Sequence, residues 1–290
     1  MITTMKRLLA ILCGILASSV MATATMLVRD YQPALHNRFY EGGDKAFVGD
    51  PYSFSGVGFS SDGKWATLVA DSYFISATHH HPAVGSSVTF WEANLLGGTS
   101  HAYTVANGQQ IGSTDLWVGW FDATVDTDLT RYAVLELPLP ADYVNRVLFN
   151  YGVTHRVGRN VSDSTSIETA GGSTGWTIQF DYDNNDTPSV GGDETFLQSG
   201  DSGAPTFTVW NGQLTLVGIH WAITDNIPGT NEGESSIDTL MPEYVDSVNT
   251  VLANKSQSLT VVPEPSTVTL VALGLGGLLA CRRLRPTQRR

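Results

Sequence analysis

The residues of this 290-residue chain best suited to chemistry are a serine set between glycines, a histidine at the end of one apolar run and an aspartate at the start of another. The serine is Ser202, in Ser199-Gly200-Asp201-Ser202-Gly203-Ala204-Pro205. A hydroxyl is a weak nucleophile at neutral pH, so it needs a base and donors placed where negative charge develops. Gly200 has no Cβ and lets the backbone turn sharply, so that its N–H and that of Ser202 can converge on one oxygen, while Gly203 keeps the far side open. The same string also serves as an ordinary turn, and the partners must decide.

A base is offered by Tyr73-Phe74-Ile75-Ser76-Ala77-Thr78-His79, an apolar strand that delivers an imidazole at its end, with His80 and His81 following. A zinc cluster is the competing reading of the three histidines, but no second set of ligands with metal-like spacing lies nearby. Two aspartates compete to orient His79. Asp115 stands directly against Leu116-Trp117-Val118-Gly119-Trp120-Phe121, whereas Thr130 and Arg131 separate Asp128 from Tyr132-Ala133-Val134. The first reads as the start of a buried strand and the second as a loop, so Asp115 is preferred.

The elements that must hold these residues read as strands. Aromatic and β-branched residues are plentiful, glycine occurs 29 times and long helical patterns are nearly absent, which predicts an all-β architecture. Six strands are expected over 52–59, 65–70, 73–77, 87–93, 102–104 and 115–121, with Asp62-Gly63, Gly97-Gly98 and Asn107-Gly108 as turns. Pro138-Leu139-Pro140 reads as a stiff connection, after which strands resume near 147–151, 177–181, 206–210 and 213–221. One helix is expected over Met241–Lys255, with Pro242 near its start and Tyr244, Val245, Val248, Val251 and Leu252 on one stripe. This divides the folded part into units at 51–139 and 140–255.

Net charge is −12 over the whole chain, but seven of the sixteen basic residues lie near its two ends. Residues 25–262 carry nine basic against twenty-seven acidic side chains, a balance of −18 that disfavours nucleic acid and anionic membranes as partners. The two cysteines, Cys13 and Cys281, also lie near the ends, so the folded part has no disulfide framework.

Residues 1–24 read as a secretory signal for signal peptidase: Lys6-Arg7, an apolar stretch from Leu8 to Val20, then Ala22-Thr23-Ala24 as the cleavage site. Residues 25–50 read as a polar, irregular leader and 256–261 as a polar linker. Residues 262–290 combine Val262-Pro263-Glu264-Pro265-Ser266, an apolar run from Thr267 to Cys281 and Arg282-Arg283-Leu284-Arg285. That order resembles a PEP-CTERM sorting tail, which implies an exosortase as processing partner, a Gram-negative host and export to the cell envelope, the extracellular matrix or the medium. Fifteen apolar residues at about 1.5 Å each suit a transient or tilted membrane insertion.

The blocks Ser76-Ala77-Thr78-His79, Asp115-Leu116-Trp117-Val118 and Gly200-Asp201-Ser202-Gly203-Ala204-Pro205 resemble the signatures of the chymotrypsin-like serine proteases, in that family's chain order. The resemblance spans roughly residues 45–255. It implies two six-stranded antiparallel β-barrels with a C-terminal helix, the cleft between them taking His79 and Asp115 from the first and Ser202 from the second. It further implies a secreted serine endopeptidase acting on protein or peptide substrates, with Gly200 and Ser202 N–H groups as oxyanion hole and no cofactor. The segment Ala133–Pro138 falls where the family ends its first barrel. His220, in Gly218-Ile219-His220-Trp221, and Phe196 then fall in the specificity pocket. Glutamyl endopeptidases of this fold carry a similar Gly-Ile-His-Trp, which implies cleavage after acidic residues; the competing reading packs His220 in its strand and leaves the pocket to apolar side chains, and Phe196 disfavours cleavage after lysine or arginine.

Thr78 and Ala204 depart from the usual alanine and glycine, and no Ile-Val-Gly-Gly-like activation start is present, Phe47-Val48-Gly49-Asp50 being the nearest. Some bacterial members of that family pair the matching aspartate internally, which leaves two routes open for Asp201: a freed amine, or an internal arginine such as Arg156 or Arg159. The loop 181–186 alternates oxygen ligands as an EF-hand does, but Asp186 stands where the turn glycine belongs and Gly192 where the bidentate glutamate belongs, so a solvated acidic loop is expected, with a looser calcium site as the competing reading. The rival to an enzyme is a catalytically silent double-barrel domain that serves as a surface or matrix binding module.

Overall fold

The computed structural model describes residues 25–183, 188–224 and 234–263. In chain order the elements are β1 (Leu27–Val28), α1 (Pro33–His36), β2 (Val57–Ser60), β3 (Trp65–Leu68), β4 (Tyr73–Ala77), β5 (Ser87–Trp91), β6 (Ser100–Gln110), β7 (Leu116–Phe121) and β8 (Ala133–Glu136). They continue with β9 (Val147–Gly152), β10 (Arg156–Val161), β11 (Ser164–Ala170), β12 (Ser173–Asp181), β13 (Thr195–Phe196), β14 (Pro205–Trp210), β15 (Gln213–Ile223), β16 (Ser235–Leu240), α2 (Val245–Leu252) and β17 (Val261–Pro263). Strands hold 44% of the described residues and helices 13%, so the class is mostly β, as the composition predicts.

The first unit is a closed barrel in the order β2-β3-β4-β7-β6-β5. Ala66, Leu68, Phe74, Val88, Phe90, Val105 and Phe121 fill its interior. Every residue of β3 and β4 is buried, because these strands have apolar cover on both faces. Their outward residues Trp65, Tyr73, Ile75 and Ala77 join a second cluster with Tyr151, Phe207, Leu216 and Ile219 of the other unit. Each Leu, Ile or Phe side chain among them contributes on the order of 1.5–3 kcal/mol when fully buried, so this shared core is what docks the two units. Asn107-Gly108 is not a turn: β6 runs through it, and a Cβ on Gly108 would lie 2.4 Å from the Trp117 indole. The pair instead follows a bulge between Val105 and Asn107 in the β6–β7 ladder, and the glycine admits the crossing ring.

The second unit is a nine-stranded sheet with the main path β10-β9-β14-β15-β16-β12-β11, and its ends do not pair into a ring. The expected second closed barrel is thus not seen in the strand pairing. β8 belongs to this sheet and not to the barrel, running parallel to β15, with β17 parallel to it on its other side. The expected linker 256–261 is pinned: Leu259 N–H donates to Asn249 Oδ1 at 2.8 Å, Gln257 Nε2 donates to Ser72 Oγ at 3.1 Å, and Val134 N–H donates to the Thr260 carbonyl at 2.9 Å. The leader is also structured. β1 pairs with β13, Met26 is fully buried, and Arg38 is buried with donors on Asn94, Tyr151, Trp91 and Ala93.

The helix forms where its apolar stripe predicts, as a 3-10 turn at Met241–Tyr244, then α2, then a 3-10 turn at Ala253–Lys255. Val245, Val248, Val251 and Leu252 bury the stripe against the shared core. No described helix is long and apolar enough to cross a membrane. The expected signal at 1–24, the apolar run 267–281 and residues 184–186 of the acidic loop lie outside the described residues.

Candidate active site

Strand register brings the first two residues together. β4 and β7 pair antiparallel with Ala77 opposite Leu116, so the residue just past the end of β4 meets the one just before β7. Thr78 N–H extends the ladder to the Asp115 carbonyl at 2.7 Å. The His79 N–H donates to Asp115 Oδ1 at 3.1 Å, and Nδ1 lies 2.7 Å from Oδ2. The Asp115 side chain is 2% exposed and that of His79 is 40% exposed. A buried carboxylate thus holds one ring nitrogen while the opposite edge of the ring faces the solvent. Asp128 lies elsewhere, exposed in a loop where its N–H donates to Asp126 Oδ1. The neighbouring histidines diverge: His80 turns to the Ser202 carbonyl and His81 stacks on Trp117 with ring centroids 3.7 Å apart.

Ser202 sits in the turn between β13 and β14. Gly200 has φ +102° and Gly203 φ +85°, values that L side chains rarely adopt. Gly203 is also the close approach to the barrel, since a Cβ there would lie 2.7 Å from Ser76 Oγ and 3.0 Å from the His80 carbonyl. Within the turn, Asp201 N–H donates to the Gln198 carbonyl at 3.0 Å and Ala204 N–H to the Asp201 carbonyl at 2.9 Å, while Gly203 N–H donates to the His220 carbonyl at 2.9 Å. The N–H groups of Gly200 and Ser202 have no acceptor among the described residues.

Asp201 points the other way, into the sheet. Its Oδ1 accepts from Val153 N–H and its Oδ2 from Gln198 N–H, both at 2.7 Å. Burial raises its pKa to about 6 against the opposing pull of these donors and of His220 and Arg156. Neither expected arginine pairs with it directly. Arg159 is held by Asp193, and Arg156 donates to the Met26 carbonyl and lies 3.8 Å over the Tyr31 ring. Backbone donors therefore hold the turn's aspartate.

Beside Ser202 a cavity of about 210 Å³ is lined by Leu197, Gln198, Ser199, Asp201, His220, Trp221, Ala222 and Ile223. His220 borders it, but both its ring nitrogens are occupied: Nδ1 lies 2.7 Å from Asp238 Oδ1 and Nε2 lies 2.9 Å from the Tyr151 carbonyl. A carbonyl can only accept, so Nε2 carries a proton, and the carboxylate favours one on Nδ1 as well. Burial works against that charge, yet Asp238 outweighs it, with Asp201 and the Tyr151 carbonyl adding to the pull, and the pKa of His220 rises above its usual value. Phe196 is fully buried, opposite Leu27 of β1, and is not among the residues that line the cavity. The Asp238 partner is absent from the sequence reading; the signal for it is only the alternation of β16, which puts Ser236, Asp238 and Leu240 among the buried residues.

An aromatic block stands behind the serine turn. Trp65 packs on Phe59, Tyr151 and His155, and His155 in turn bonds the Tyr151 hydroxyl at 2.8 Å. Burial, with Arg38 nearby, lowers the pKa of His155 to about 3, so it packs as a neutral ring.

Among known families, residues 261–285 match the model of the PEP-CTERM protein-sorting motif. The match agrees with the tail read at 262–290 and marks an exported protein handled by an exosortase in Gram-negative bacteria, for which a cell-envelope or secreted location fits. His79, Asp115 and Ser202 lie outside the matched segment. No curated protein matches this sequence.

Proposed function

We propose that the protein is a serine endopeptidase of the chymotrypsin type, its second barrel represented by the nine-stranded sheet. The observation that carries the reading is the His79–Asp115 pair, set beside a turn whose Gly200 and Ser202 N–H groups are left without an acceptor. In the proposed mechanism Ser202 Oγ attacks a peptide carbonyl while His79 Nε2 takes its proton and later delivers it to the leaving amine. Asp115 keeps the second proton on Nδ1 and stabilises the imidazolium, and the two N–H groups receive the oxyanion. Water then repeats the sequence on the acyl-enzyme.

The side chain preceding the cut bond would enter the cavity beside Ser202. Acidic preference, as the Gly-Ile-His-Trp resemblance implies, requires a free donor on His220. With both nitrogens turned to Asp238 and Tyr151, the cavity favours uncharged apolar side chains offered to Leu197, Trp221, Ala222 and Ile223.

A fluorophosphonate probe tests the proposal, because only an activated serine is labelled. Labelling of Ser202, lost in Ser202→Ala together with roughly 10⁶ in turnover, is the expected result. A folded wild-type protein that stays unlabelled would support the silent binding module instead.

A further inference from the structure

We propose that Trp65 and His80 are positioning residues that grip the nucleophile turn from the first barrel. The inference rests on the peptidase reading for its catalytic consequence and on the geometry alone for the grip. Trp65 Nε1–H donates to the Gly200 carbonyl at 3.1 Å, and His80 Nδ1 lies 3.1 Å from the Ser202 carbonyl. The barrel thus places two side-chain donors on two carbonyls of one four-residue turn in the other unit.

Peptide planarity is what makes this effective. A carbonyl and the following N–H share one rigid plane, so a bond to either end sets the orientation of both. The Gly200–Asp201 plane is held by Trp65 at its oxygen and by Gln198 at its N–H. The Asp201–Ser202 plane is held by Ala204 N–H at its oxygen, which leaves the Ser202 N–H outward. The Ser202–Gly203 plane is held by His80 at its oxygen and by the His220 carbonyl at its N–H. Three successive planes are fixed, two of them from across the interface between the units. Of the two free N–H groups, that of Ser202 lies within these held planes, and that of Gly200 belongs to the plane just before them, joined to them through the Gly200 φ of +102°.

His80 suits the task chemically. Its acceptor is a carbonyl, so Nδ1 must carry a proton. Burial lowers its pKa, with Lys64 contributing, and the ring stays neutral near pH 7 with that proton on Nδ1. Trp65 is fully buried and wedged between Phe59, Tyr151 and His155, so its indole N–H has little freedom to leave the Gly200 carbonyl.

The test combines kinetics with a measurement that needs no turnover. Trp65→Phe keeps the ring and removes the donor; His80→Leu removes the donor, and His80→Gln retains an N–H. Misplacement of reacting groups by about 1 Å costs on the order of 10²-fold, so Trp65→Phe and His80→Leu should each lower kcat about 10- to 100-fold. KM and inhibition by a non-covalent product peptide should stay within about twofold, as expected for groups that act only on the transition state, and His80→Gln should recover most of the rate. Independently, ¹⁵N NMR of the resting wild-type protein at pH 7 should find the His80 proton on Nδ1. Unchanged kcat in both donor-less variants, a His80→Gln protein as slow as His80→Leu, or a neutral His80 ring protonated on Nε2 would each overturn the grip. An unlabelled wild type in the fluorophosphonate assay would sink the peptidase reading alone, and the site of the His80 proton would still decide whether the grip exists.

Discussion

Among the described residues, two histidine–aspartate pairs have the same 2.7 Å separation and opposite surroundings. In the barrel, the His79 side chain is 40% exposed, and its carboxylate partner engages only Nδ1. In the sheet, the His220 and Asp238 side chains are 1% and 0% exposed, and a carbonyl takes the remaining nitrogen. The distance between nitrogen and oxygen therefore says little about role. A base must have one nitrogen free to exchange a proton with a substrate, and only His79 meets that condition. His220 is a cross-strand ion pair, since it stands directly opposite Asp238 in the β15–β16 register, and Thr206 Oγ1 at 3.4 Å adds a weak contact.

The comparison breaks most sharply on the two aspartates. Asp115→Asn should lower kcat by about 10⁴ with little change in stability at neutral pH, because the wrong tautomer is then favoured on His79. Asp238→Asn should instead cost about 3–5 kcal/mol of stability, since it strands a buried imidazolium. Parallel turnover assays and urea denaturation of the two variants check both. A crippled Asp128→Asn with an unaffected Asp115→Asn would reverse the assignment of the orienting acid.

The pair in the sheet also carries a signature in pH. His220 holds its proton more tightly in the fold than at the ordinary histidine value of 6.5, so the native state binds more protons than the unfolded chain above that pH. Its contribution to stability is complete below about pH 6.5 and declines as pH rises through the raised native value. Denaturation midpoints across that window should fall for the wild type and flatten in His220→Gln.

The smallest effect concerns specificity. Profiling on a peptide library should give cuts mainly after apolar residues such as Leu, Phe or Ala, because His220 has no nitrogen to spare for a carboxylate. A majority of cuts after Glu or Asp would show that substrate displaces Asp238 or the Tyr151 carbonyl, and would erase the distinction drawn between the two histidines at the cavity wall.

Much of the candidate site is local in origin, which is why it could be read from residue types. His79 ends one apolar run and Asp115 begins another, and antiparallel pairing of those runs leaves the two side by side. Gly200 and Gly203 announce a turn with positive φ that other residues resist. The β class, the apolar stripe of α2 and the sorting tail are likewise properties of composition and short-range pattern.

Other features depended on partners far away in the chain. Asn107-Gly108 has the chemistry of a turn, yet the indole of Trp117 needs the space above Gly108, and the strand continues. Residues 256–261 are polar enough for a linker, yet backbone groups of β8 bind them to the sheet. The sequence by itself determined which side chains are able to act as nucleophile, base and acid. Only the tertiary structure decided which nitrogens remain free, which carbonyls are gripped by Trp65 and His80, and that Asp201 is held by backbone donors instead of an arginine. The reason is that a hydrogen bond is satisfied by whichever partner strand pairing and docking bring within about 3 Å, and a residue's own neighbours in the sequence do not specify that partner.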